Sequence, residues 1–141
     1  MSIREIVLEQ DFGVPPERLW SALTDHEGMR KWTGAAVRVV ARGDASGVGT
    51  VRRIAMGPFR IDEEVVYADA PRRLVYRAIR GLPVRFHRGE MVVVPDGTGG
   101  SQLTWRILIS SGTPGLARAL TGTLEPALRR GLRELRGLIG G

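Results

Sequence analysis

The chain has 141 residues, 43% of them hydrophobic, a net charge of +6 and no cysteine. This excludes a disulfide framework, a thiol nucleophile and a cysteine metal site, and no apolar run approaches the roughly 20 residues of a membrane span. The length suits a single domain over residues 1–141, and the lack of a secretory pattern makes the cytoplasm the expected address.

The first strand signal is Ile3 to Val14, where Ile6, Leu8 and Phe12 share a parity. Pro15 and Pro16 then open a short helix, whose first N–H groups need no intrahelical acceptor. Leu19, Trp20 and Leu23 form its apolar stripe, and Glu17 meets the positive end of its dipole. Thr24 or Asp25 caps a second short helix carrying Met29 and Trp32, which Gly34 stops. Strands follow at Val37–Arg42, Gly49–Met56, Phe59–Ala68, Leu74–Arg80, Arg85–Val94 and Gln102–Ile109, separated by turn-forming Gly, Pro, Asp and Ser. From Thr113 the period lengthens, and Leu116, Leu120, Leu124, Leu128, Leu132, Leu135 and Ile139 recur at helical spacing. Pro114 suits the first turn of this helix, and Pro126 predicts a kink or restart near Thr123–Glu125.

Six strands joined by short turns make an antiparallel meander, and one long amphipathic helix must cover its concave face. A curved sheet and a single helix leave too little side-chain volume to close the middle, so a cavity is expected. Taking Gly57-Pro58 as a two-residue hairpin loop sets Met56 opposite Phe59, Ile54 opposite Ile61 and Arg52 opposite Glu63. All six then face inward, with Arg52 and Glu63 as an interior ion pair and Arg53 and Glu64 outside. Across the Pro95–Ser101 loop, Val93 faces Leu103 and Met91 faces Trp105; the same register sets Gly89 against Ile107 and His87 against Ile109. Leu74, Tyr76 and Ala78 share a parity suited to the same face. Trp32 is expected to close one end of the cavity, and Trp20 to pack in the core.

Twenty of the 21 basic residues are arginine, Lys31 being the lone lysine. They are scattered along almost every element with no basic tail and no interleaved aromatics, which argues against nucleic acid as the partner. His26 and His87 are too isolated to form a metal-ligand cluster, and no glycine-rich phosphate loop is present. No metal or cofactor is expected.

Val14-Pro-Pro-Glu-Arg-Leu-Trp-Ser-Ala-Leu-Thr-Asp25, followed by Trp32, resembles the opening of the SRPBCC superfamily, also called START-like or birch-pollen-allergen-like. Gly47-Val-Gly-Thr-Val-Arg52, Ile61-Asp-Glu63 and Asp69-Ala-Pro-Arg-Arg-Leu-Val-Tyr76 resemble its polyketide cyclase/dehydrase branch, as do Gly100-Ser-Gln-Leu-Thr-Trp105 and the C-terminal leucine helix. The resemblance covers essentially the whole chain. It implies an α+β helix-grip fold: a seven-stranded curved antiparallel sheet around the long C-terminal helix, two short helices between strands 1 and 2, and a deep hydrophobic cavity. It does not settle function, because this fold hosts cyclases, lipid carriers and hormone receptors alike.

The expected partner is a small hydrophobic molecule, polyketide-like, aromatic or lipid. Polar contacts to it are expected from Arg52, Glu63, Tyr76 and His87. Apolar contacts are expected from Trp32, Ile54, Ile61, Met91, Trp105 and Leu128. In a cyclase or dehydratase, Arg52 would polarise a carbonyl, Glu63 would act as general base, and Tyr76 or His87 would donate a proton. In a non-catalytic carrier or sensor, Arg52 would instead hold a carboxylate or phenolate. A weaker third reading has the basic outer surface dock a partner protein or nucleic acid. The oligomeric state is left open, with a homodimer compatible.

Overall fold

The computed structural model describes residues 3–141. β1 (Ile3–Phe12) buries Ile6, Leu8 and Phe12 and pairs with the last strand from Ile3↔Ser110 to Phe12↔Ser101 without a break. The other strands form a meander: β2 (Val37–Ala41), β3 (Val51–Met56), β4 (Phe59–Asp69), β5 (Arg73–Arg80), β6 (Phe86–Pro95) and β7 (Ser101–Ser110). The result is one seven-stranded antiparallel sheet, ordered β1-β7-β6-β5-β4-β3-β2. The β4–β5 register slips at Asp62/Glu63 and again at Val65/Tyr67. Each slip adds a residue to one strand, which increases the local bend and helps the sheet curl.

The hairpin arithmetic holds. Met56 pairs with Phe59, Ile54 with Ile61 and Arg52 with Glu63, around a turn in which Gly57 takes a φ of 56°. On the next wall Val93 pairs with Leu103, Met91 with Trp105, Gly89 with Ile107 and His87 with Ile109. β1 stops at Phe12 rather than Val14, because Gly13 and Val14 turn the chain into the first helix.

α1 (Pro16–Thr24) begins immediately after Pro15 and buries Leu19 and Leu23, with Trp20 half-buried against the core. The Gly28 N–H donates to Asp25 Oδ1 at 3.2 Å, which stabilises a short 3₁₀ turn, Glu27–Met29. α2 (Arg30–Thr33) follows directly and ends at Gly34, whose φ of 77° is left-handed.

α3 (Leu116–Ile139) differs from expectation at its start, and of the kink or restart expected near Pro126 it shows no restart. Residues Thr113–Gly115 form a turn closed by Leu116 N–H to Thr113 C=O, so Pro114 precedes the helix instead of occupying its first turn. The helix runs through Pro126. Gly122 and Pro126 both lie on the exposed side, so water can take up the Gly122 carbonyl that proline leaves without a donor.

Leu132 and Leu135 of α3 are buried, and the helix packs chiefly on β1 and α2. At Gly131 an added Cβ would lie 2.9 Å from the Trp32 carbonyl oxygen, so glycine permits that close crossing. The helix therefore packs on the β1 side of the sheet and stands off the β3–β4 side, and the cavity lies between them. Among the described residues no helix is long and apolar enough to cross a membrane.

Candidate functional site

Cross-strand pairing of β3 and β4 brings Arg52 and Glu63 to the concave face, where only 1% and 8% of their surfaces remain exposed. Arg52 Nε and Nη2 both donate to Glu63 Oε1, at 3.0 and 2.9 Å. Arg52 Nη1 points the other way, to Met29 Sδ at 3.1 Å and to His26 Nδ1 at 3.1 Å. The guanidinium also lies 4.6 Å from the centre of the Tyr76 ring. This cation is thus held on every side before any ligand arrives.

Tyr76 and His87 complete the polar wall. Trp105 Nε1 donates to the Tyr76 hydroxyl at 2.9 Å, leaving that hydroxyl's own proton to be given elsewhere. The Ala78 N–H donates to His87 Nδ1 at 2.8 Å, which places the imidazole proton on Nε2, and Nε2 faces Glu63 Oε2 at 3.7 Å. Gly89, opposite Tyr76 on β6, is a glycine for a steric reason: a Cβ there would collide with the Tyr76 ring at Cζ and the hydroxyl oxygen.

The electrostatics keep the donors neutral. Burial, reinforced by the Glu63 charge, pushes the Tyr76 phenol well above its ordinary range. Burial also lowers His87, with Glu63 opposing and Arg52 assisting the shift. Burial and the Arg52 charge bring His26 down to about 4, against a smaller pull from Asp25. Near neutral pH the wall offers two uncharged donors, Tyr76 O–H and His87 Nε2–H, around one carboxylate oxygen, Glu63 Oε2.

These groups form the inner wall of a cavity of about 580 Å³. Of the residues predicted to meet a ligand, Arg52, Ile54, Ile61, Glu63, Tyr76, His87, Trp105 and Leu128 line it. Trp32 and Met91 do not. The Trp32 ring packs edge-on against Trp105, with centroids 6.1 Å apart, and Met91 is buried at 1% exposure behind the cavity wall. Met29, Leu120 and Leu124 line the cavity without having been singled out; the helical stripe already marked the two leucines as inward. In the sequence His26 stands isolated from the other polar groups of the site. Its contact with Arg52 spans 26 residues, and no local pattern signals such a contact. Among the described residues no group of three or more acidic, histidine or cysteine side chains could hold a metal.

The family described as polyketide cyclase / dehydrase and lipid transport matches residues 4–140. No curated protein matches. Among solved structures, TTHA0849 from Thermus thermophilus is similar at 25% identity and a TM-score of 0.78, over 96% of this chain and 97% of that one. A START superfamily protein from Mycobacterium smegmatis superposes with a TM-score of 0.80 at 13% identity, covering 96% of each chain. Ara h 8.0201 gives 0.75 at 15% identity over 98% of each. The last two likenesses concern the fold alone.

Proposed function

We propose, for a chain that belongs to the polyketide cyclase / dehydrase and lipid transport family of the SRPBCC superfamily, that the cavity binds a small hydrophobic molecule carrying a neutral oxygen function and acts on it by proton transfer. The observation that carries this reading is the composition of the inner wall: Tyr76, His87 and Glu63 line the same otherwise apolar cavity, with His87 Nε2 3.7 Å from Glu63 Oε2. Two neutral donors suit a carbonyl or phenol oxygen and strengthen as that oxygen gains enolate charge. Glu63 Oε2 accepts none of the hydrogen bonds that Oε1 takes from Arg52, so it is the oxygen placed to remove a proton beside the carbonyl. Enolisation of this kind opens aldol cyclisation and dehydration.

Arg52 acquires a role different from that expected of a ligand clamp. Its charge is paired with Glu63 and both Nη1 donors with His26 and Met29, so it orients the carboxylate and has one Nη2–H left for a ligand. A carboxylate ligand would meet Glu63 first. The same double donation to Oε1 also supports a second reading, carriage without chemistry, because the carboxylate is already paired within the protein.

Both readings are tested with three naphthalene probes and one ketone. Fluorescence titration is expected to rank 1-naphthol well above 1-naphthoate, with Tyr76→Phe reducing the difference. Preference for the carboxylate would overturn the neutral-oxygen reading, and equal affinity for unsubstituted naphthalene would overturn any role for the polar wall. Deuterium exchange into the α-position of 1-tetralone, followed by NMR, tests the chemistry. Exchange abolished by Glu63→Gln supports proton transfer, whereas binding without exchange leaves carriage.

A further inference from the structure

The arginines look scattered in sequence, but the fold brings cation-bearing segments together at the end of the sheet where the cavity opens. The exposed lining residues mark that mouth: Gly34 after α2, Gly57, Pro58 and Phe59 at the β3–β4 tip, and Ala119, Thr123 and Ala127 on α3. The β5–β6 loop joins them through Leu82, and Gly81 lies against the Arg60 carbonyl. The β7–α3 turn is tied in by Arg85 N–H to Ser110 C=O at 2.8 Å, and Gly112 lies beside the Arg85 guanidinium.

Four segments form or flank this mouth: residues 30–38, 56–61, 79–88 and 110–123. They hold Arg30, Lys31, Arg38, Arg60, Arg80, Arg85, Arg88 and Arg118, and not one Asp or Glu. With 21 cations and 15 carboxylates in the whole chain, thirteen cations and all fifteen carboxylates fall elsewhere, so the remainder is slightly acidic. The net positive charge of the chain is thus carried by these four segments. Its neutralisation within the mouth is slight: Arg80 lies 3.6 Å from Asp62, yet keeps 72% of its side chain exposed. The same end carries large apolar groups in the open, Phe59 at 36%, Ile79 at 40% and Phe86 at 43% exposure.

We infer that this end docks on an anionic lipid bilayer, with the β3–β4 tip at the level of the headgroups and the cavity opening toward the membrane. Cations around exposed aromatic and aliphatic groups match a negative surface with an apolar interior, and neither component alone anchors a protein well. Nucleic acid would satisfy the cations and leave Phe59, Ile79 and Phe86 unexplained. The inference goes beyond the cavity reading and is tested separately from it.

Vesicle co-sedimentation supplies the test, with phosphatidylcholine alone and phosphatidylcholine containing 30 mol% phosphatidylglycerol. The protein is expected to bind the second and not the first, with retention declining as salt rises, since surface attraction is screened. Combined Lys31→Glu, Arg60→Glu and Arg118→Glu is expected to weaken binding at least tenfold. The same charge change at Arg4, Arg18 and Arg133, outside the four segments, is expected to cost far less. A Pro58→Cys label is unique in this cysteine-free chain, and a polarity-sensitive dye there is expected to shift to the blue on the anionic vesicles. No retention at low salt, equal losses for the two triple variants, or no spectral shift at the tip would each overturn the inference. Binding of N-phenyl-1-naphthylamine without vesicles reports the cavity separately. Its failure would refute the cavity reading and leave the docking result intact.

Discussion

Breaking the Arg52–Glu63 pair from one side should be far more damaging than removing it whole. In Arg52→Met the Glu63 carboxylate, 8% exposed, loses both guanidinium bonds to Oε1 and keeps only His87 Nε2–H at 3.7 Å. An unpaired buried charge costs about 3–5 kcal/mol. Glu63 lines a cavity that water can enter, which places this case near the lower end, about 3 kcal/mol. For a domain of this size each kcal/mol lowers Tm by roughly 2–4 °C, so a loss of about 10 °C is expected. In Arg52→Met combined with Glu63→Leu no charge is left behind, and stability should return to within about 1 kcal/mol of the parent or exceed it.

Thermal and urea unfolding of the four proteins at pH 7, read by circular dichroism, form a double-mutant cycle. Glu63→Leu leaves the buried Arg52 unpaired and should cost at least as much as Arg52→Met. With the double variant near 1 kcal/mol, the expected coupling is about 5 kcal/mol, far above the few tenths seen between independent sites. The same double variant should lose at least tenfold in affinity for 1-naphthol, about 1.4 kcal/mol, while N-phenyl-1-naphthylamine still binds. Stable but discriminating poorly, it would show that the pair serves the ligand at the expense of stability. The reasoning is refuted if the double variant is as unstable as Arg52→Met, and the ligand role is refuted if it binds 1-naphthol like the parent.

Two further predictions come from the same wall. His26 has its folded pKa lowered from 6.5 to about 4, so between these values the unfolded chain binds more protons and stability falls as pH falls. His87 shifts in the same direction and adds to this window. Because His26 is partly open to water, its share is on the order of 2 kcal/mol; urea unfolding of His26→Gln should show a flatter decline from pH 6.5 to 4, and a parallel curve would remove His26 as the cause. Gly89→Ala should cost about 1–3 kcal/mol through collision with the Tyr76 ring. Combining it with Tyr76→Leu should recover part of that loss, and an unchanged melting temperature for Gly89→Ala alone would contradict the close approach.

The register of the sheet was legible because side chains alternate with a period of two, and each hairpin joins strands through a short loop. Gly57-Pro58 therefore determined that Arg52 meets Glu63, and the strand parities put Tyr76 and His87 on the same face. Lateral packing was less accessible. Trp32 satisfies every sequence criterion for a cavity wall, yet α2 turns its ring onto Trp105, since the crossing at Gly131 draws α2 and α3 together. The long helix was legible as one apolar stripe, but its tolerance of Pro126 depended on which side faced water. His26 lay furthest out of reach. It is the residue that enters the 3₁₀ turn, and only the three-dimensional arrangement brings its ring to Arg52.

That contact explains how the two short helices and the chemistry of the cavity are connected. Glu63 takes only the Nε and one Nη2 donor of Arg52, and Nη1 reaches back to His26 and Met29, both on the segment between α1 and α2. The guanidinium is thereby fixed from both sides, and fixing it holds Glu63 Oε1 while leaving Oε2 turned toward His87. Orientation of a carboxylate by a buried partner matters most when one oxygen must face a ligand and the other must not. A carrier needs only an apolar volume of suitable shape. The N-terminal segment that supports the sheet therefore also sets the direction of the one carboxylate lining the cavity, which is the arrangement the proposed proton transfer requires.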